Sequence, residues 1–134
     1  MSKQKTNALL FSIGAVGYGL LEILWRGHTH WSMLGAGGIC FVFFGNIGEK
    51  IKKSKIIVKA IIGSAFITSV EFIFGIIFNI ILKKNVWNYS KMPLNIGGQI
   101  CLLYSFFWAL LSILCFPMAV KLKHSLETSS IQKE

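Results

Sequence analysis

The chain has 134 residues, 54% of them hydrophobic, and a net charge of +9 from 14 Lys and Arg against five acids, all Glu. That balance excludes a soluble domain with a polar surface, and the lysines flank apolar runs instead of forming the basic stripe that nucleic acid requires. Anionic lipid headgroups are the expected counter-charge, with no nucleic-acid partner. Cys40, Cys101 and Cys115 fall inside apolar runs without CxxC spacing, so buried thiols are expected and no disulfide.

In chain order, Met1 to Thr6 carries Lys3 and Lys5 and leads into an apolar run over 7–25. Gly14, Ala15, Gly17 and Gly19 are small enough for a signal-peptide cleavage site. No A-x-A pattern closes the run and three further spans follow, so an uncleaved first transmembrane helix is expected. Ala15 and Gly19, like Ala8 and Ser12, lie four apart and predict a small-residue face that a neighbouring helix can approach. Arg26-Gly27-His28-Thr29-His30 links this helix to a second one over 31–48, made thin and central in packing by Gly35, Gly37, Gly38 and Gly45.

The strongly basic segment from Glu49 to Lys55 belongs in water. Then comes the longest apolar run, the 23 residues from Ala60 to Leu82. As a helix it is about 34 Å long, enough to cross a hydrocarbon core of about 30 Å. A polar connection follows, with Trp87, Asn88, Tyr89, Ser90 and Pro93, and a fourth helix is predicted over 95–120, kinked or cut short at Pro117. Residues 125–134 read as a polar, frayed cytoplasmic tail. The predicted fold is therefore an all-α integral membrane protein, one four-transmembrane-helix bundle over 1–124. Gly37-Gly38-Ile39-Cys40-Phe41 and Gly98-Gln99-Ile100-Cys101-Leu102 echo each other weakly, as two helical hairpins in a parallel repeat would.

Glu71 interrupts the third span near its middle. An ionisable group at that depth costs about 2.5–3.5 kcal/mol on insertion scales, so it should face other helices or water, and it is the first functional candidate. Thr68, Glu71, Gly75 and Asn79 recur at spacings of three and four and share one face of the helix. Glu22 is a second intramembrane acid, with Arg26 one turn later to pair with it or to meet an anionic ligand. With both termini inside, Glu22, Arg26, His30, Glu71, Asn79, Asn95 and Gln99 gather toward the outer side as one polar, ligand-binding cluster. His28 and His30 have suitable chemistry for a proton sensor or a transition metal, but their spacing fixes no third ligand, so no metal site and no cofactor is expected. There is no G-x-S-x-G serine, no aspartate, no glycine-rich phosphate loop and no Walker lysine. No catalytic role is expected, and ATP-driven transport would need a separate ATPase subunit.

From Trp87-Asn88-Tyr89-Ser90 through Pro93, Asn95 and Gly97 to Ile100-Cys101-Leu102, and on to Trp108, the chain resembles the bacterial membrane proteins of the ABC-transporter type IV, CmpB-like family. The Glu22 to Met33 and Glu71 stretches resemble that family too, so the likeness covers most of residues 10 to 115. This chain has Asn88 where the family pattern has Asp. The resemblance implies a permease component and adds Trp87, Asn88 and Tyr89 to the candidate ligand-binding residues.

The first functional reading is thus a permease-like component with an outward-facing pocket centred on Glu71, completed by a second copy of the chain or by a membrane or ATPase subunit. A structural or accessory subunit, holin-like or partner-binding, is the alternative, and a lipid-acting enzyme using Glu22 and His30 is the third. Ten Lys and Arg lie on the side of the termini and the 50–59 segment, against four in the other two connections. This asymmetry predicts both termini in the cytoplasm of a multi-pass protein of the bacterial cell membrane. A fluorescent-protein fusion at the C-terminus should therefore glow and an alkaline phosphatase fusion there stay inactive; the reverse pattern would invert the topology.

Overall fold

A computed structural model describes residues 3–133, with side chains described through residue 128. The helices are α1 (Lys3–Arg26), α2 (Trp31–Lys50), α3 (Ile56–Phe74) and α4 (Leu102–Lys133). α3 continues into π-helical turns over Gly75–Ile81, and β1 (Asn95–Ile96) pairs antiparallel with β2 (Ile100–Cys101). Four spans, counting α3 with its π turns, are long and apolar enough to cross a membrane. This is an all-α, multi-pass membrane fold with one short hairpin. It divides into two compact units, residues 1–54 with 114–134, and residues 55–113.

In the first unit α1 packs on α2 along a stripe four residues apart: Thr6, Leu10, Gly14, Tyr18, Glu22 and Arg26. Ala8 and Ser12, expected on the contact face, are exposed, because the stripe through Gly14 brings the helices closer. A Cβ at Gly14 would lie 2.8 Å from the Gly37 carbonyl oxygen, and one at Gly37 would lie 2.5 Å from Tyr18 Cβ. The glycines are thus where two backbones touch, as the thin α2 predicted. Half of the α2 span is buried. The later turns of α4 complete this unit, with Phe116 set edge-on to Phe44 at 4.7 Å and Ala119 fully buried. At the end of α2, Glu49 binds Lys123 Nζ and His124 Nε2, each at 2.6 Å.

Several boundaries differ from expectation for local reasons. Gly27, at φ +81°, ends α1 as only glycine does without strain, its N–H bonded to the Ile23 carbonyl at 2.8 Å. The fourth helix starts at Leu102, not near residue 95, because Gly97 and Gly98 take positive φ and turn the hairpin. That also undoes the internal echo: Gly37–Phe41 is mid-helix in α2, whereas Gly98–Cys101 is turn and strand. Pro117 lies inside α4 and does not end it, and the expected tail is helical to Lys133. All three cysteines are free thiols.

Gly37→Ala should lower the unfolding midpoint in detergent, by the equivalent of about 1–3 kcal/mol of overpacking. Gly17→Ala, with open space around it, should leave the midpoint unchanged or raise it slightly. Equal midpoints for both variants would show that the Gly14–Gly37 contact does not hold this hairpin.

Candidate functional site

The second unit is built around Glu71. Its side chain lies on the α3 face turned toward the first turns of α4, where Ser64 Oγ donates to the Ser105 carbonyl at 2.6 Å and Thr68 Oγ1 meets Ser105 Oγ at 2.9 Å. Glu71 is 6% exposed. Its Oε1 accepts from Trp108 Nε1 at 3.3 Å, and its Oε2 lies 3.0 Å from the Tyr89 hydroxyl. Donors from two other segments of the chain therefore meet both carboxylate oxygens. Tyr104 stacks on Tyr89 at 4.9 Å with their planes 16° apart, which holds the phenol in place.

Above Glu71 the helix changes pitch. The π turns over Gly75–Ile81 widen the helix, and Gly75 leaves a gap that the following loop fills: a Cβ there would sit 2.5 Å from Gln99 Oε1 and 3.1 Å from Trp87 Cζ2. Asn79 clamps that loop. Its Oδ1 accepts from the Val86 N–H at 2.7 Å and its Nδ2 donates to Gln99 Oε1 at 2.9 Å. Trp87 is buried, with Nε1 donating to the Gln99 carbonyl at 2.9 Å. The Tyr89 N–H donates to the Gly98 carbonyl at 2.8 Å. Asn95 Nδ2 donates to the Met92 carbonyl at 2.7 Å, and Asn95 Oδ1 accepts from the Gly98 N–H at 3.1 Å. The connection between α3 and α4 is thus a folded cap with its own interior.

Glu71 is bonded to Tyr89 and Trp108, Asn79, Trp87 and Gln99 form a second bonded group at the same loop, and Asn95 shapes the turn beside them. The stripe Thr68, Glu71, Gly75 and Asn79 does share a face, as its spacing predicted. Asn88 is exposed and its Oδ1 accepts from the Ser90 N–H at 2.9 Å, a turn bond that an aspartate oxygen would make equally well. Glu22, Arg26 and His30 belong to the first unit. There Glu22 pairs with Arg26 at 3.3 Å along α1, and His30 caps α2, its Nδ1 accepting from the Ser32 N–H at 3.2 Å. Among the described residues no three His, Cys, Asp or Glu side chains gather as metal ligands would.

Sequence reasoning missed Tyr104 and Trp108 as partners of the acid. The signal was present: they lie four apart in an apolar helix, each carrying a donor, with Ser105 beside them. It also missed Glu49 with Lys123 and His124, whose separation of more than 70 residues no local pattern shows.

Asn79→Leu removes the acceptor of the Val86 N–H and the donor to Gln99, a loss of about 1–3 kcal/mol for each buried group left unpaired. The expected result is amide exchange at Val86 and Trp87 faster by roughly tenfold or more, with tryptophan emission shifted to the red. Unchanged exchange would show that the cap stands without the clamp.

The family model for Putative ABC-transporter type IV matches residues 8–133. No curated protein and no solved structure matches the chain. The family's name is transporter-related, its match takes in both units, and the polar cap, the buried acid and Trp108 all lie within it. A match over nearly the whole length places the chain in the ABC-transporter type IV (CmpB) family of membrane proteins.

Proposed function

We propose that this chain is a permease-like component of a transport system in the bacterial cytoplasmic membrane, with both termini inside, and that Glu71 is the group that meets the positive charge of its ligand. The observation that supports this is Glu71 itself, a buried carboxylate in an apolar span whose two oxygens both face donors. A charge kept at such depth is costly, and a function is its usual reason. Asn79, Gln99 and Tyr89 belong to the same site and join it to the cap over the helix ends. The chain contains no phosphate-binding loop, so energy from ATP would enter through a separate subunit, and a second copy of the chain would enlarge the small volume that four helices enclose.

One observation favours the accessory reading: Glu71 and Asn79 bond to protein groups as purely structural polar residues do. Thermal unfolding in lipid nanodiscs separates the two. Wild type and Glu71→Gln are melted in parallel against protons (set by pH), sodium, magnesium, choline and spermidine. At least one of these should raise the wild-type midpoint and not that of the variant, by the equivalent of about 2.7 kcal/mol when present at 100 times its dissociation constant. Parallel responses of both proteins to every probe would leave the accessory reading.

A further inference from the structure

The two oxygens of Glu71 face donors of different kinds. The Trp108 indole Nε1–H, 3.3 Å from Oε1, can only donate, so Oε1 is an acceptor whatever the charge of the group. The Tyr89 hydroxyl, 3.0 Å from Oε2, can donate or accept. A charged Glu71 receives the phenolic hydrogen on Oε2; a neutral one carries its own hydrogen there and gives it to the phenol oxygen. The two arrangements differ by one proton on Oε2 and by the direction in which the phenolic hydrogen points, and the same pair of oxygens serves both.

The surroundings suit a proton better than a larger ion. A metal cation such as calcium or magnesium takes about six or more oxygen ligands, whereas among the described residues no second carboxylate gathers with Glu71 into a metal-binding group, and an indole N–H, a donor only, meets its Oε1. Tyr89 is half-buried, its chain neighbours Asn88 and Ser90 are exposed, and its hydroxyl meets the buried carboxyl. Its backbone is fixed on both sides, the N–H to the Gly98 carbonyl and the carbonyl to the Met92 N–H, each at 2.8 Å. The other titratable groups of this unit are Tyr104 on α4, Cys101 in β2, Lys55 and Lys59 at the start and in the first turns of α3, and Lys83, Lys84 and Lys91 in the cap.

We propose that Glu71 is a proton-binding site loaded through the Tyr89 hydroxyl. The inference rests on the reading of Glu71 as the ligand-binding group and names the ligand. In loading, a proton from water bonds to the Tyr89 oxygen as the phenolic hydrogen passes to Glu71 Oε2. The proton comes from hydronium: one O–H bond breaks there and one at the tyrosine, one forms at the tyrosine and one at Glu71 Oε2, so a water is left, the phenol is restored and the carboxylate becomes a carboxylic acid. Release is the reverse. Tyr89 is a positioning and relay residue, and Trp108 holds Oε1 still in both states.

Dicyclohexylcarbodiimide couples to protonated carboxyl groups in apolar surroundings, and the adduct can be located by peptide mass spectrometry. The full-length protein in nanodiscs is labelled from about pH 5 to about pH 9, a range over which ordinary carboxyl groups are already ionised. The peptide carrying Glu22, whose partner is Arg26, serves as the internal reference. Label is expected at Glu71, falling up to tenfold for each pH unit above its midpoint, and absent in Glu71→Gln. In Tyr89→Phe the midpoint should move to higher pH by about one unit, because the hydrogen bond lost is stronger to the charged carboxylate than to the neutral acid.

A label that ignores pH, no label at any pH, or a midpoint unmoved in Tyr89→Phe would overturn the proposal. Protection of Glu71 by sodium, choline or spermidine at constant pH would also overturn it, yet would keep Glu71 as a ligand site. If in addition the melting responses of wild type and Glu71→Gln run parallel, the ligand reading itself falls.

Discussion

The constraint on which residues 55–113 depend is the placing of one carboxyl group in the middle of an apolar span. A group buried to 6% exposure needs partners from the chain, and they come from two directions: an indole on the next helix and a phenol on the connection between the two helices. For the phenol to reach that depth the connection has to fold inward. For the connection to fold inward, its own backbone groups must be satisfied away from water. Asn79, Gln99, Asn95 and the two-residue strands meet that requirement, and Gly75 with the π turns provides the room. The cap, the pitch change and the stacked tyrosines are successive answers to one buried acid.

The residues 1–54 and 114–134 solve a simpler problem. Helices in lipid gain nothing from hiding apolar surface from one another, so close approach and a few polar contacts must hold them. Gly14 against Gly37 provides the approach, and the Asn46 amide, donating to the Asn7 side chain at 2.9 Å, adds a polar tie. Glu49 gathers a lysine and a histidine from α4, which fixes the end of α2 to a helix distant in sequence. The large exposed side chains such as Leu20, Leu24, Ile61 and Phe106 are the lipid-facing surface of a membrane protein, not unfinished packing.

How much of this was legible depended on whether the signal was local. The spans, the thinness of α2 and the shared face of Thr68, Glu71, Gly75 and Asn79 follow from spacing along one element, and spacing survives folding; the family was legible in the motif from Trp87 to Leu102. The contact face of α1 was legible only in part: Gly19 is buried against Leu34 of α2, but Ala8 and Ser12 are exposed, because small residues occur on more than one side and only the partner helix decides which side is used. The start of the fourth helix was misplaced because Asn95 to Cys101 is apolar enough for a helix, while the positive φ of Gly97 and Gly98 belongs to a turn that periodicity does not report. Trp108 stood inside a recognised motif, but its pairing with an acid 37 residues earlier is a matter of three dimensions.

Order of synthesis gives the buried acid a history as well as a place. Glu71 emerges from the ribosome ahead of Tyr89, Tyr104 and Trp108, so α3 reaches the bilayer before its carboxyl has met its final partners. The Ile and Phe residues that crowd the same span, each favouring insertion by roughly 0.3–0.6 kcal/mol near the centre, make that passage feasible on their own. The cap can close only once α4 has followed. Maturation of this protein in the membrane therefore has a built-in sequence, with helix insertion first and the sealing of Glu71 last.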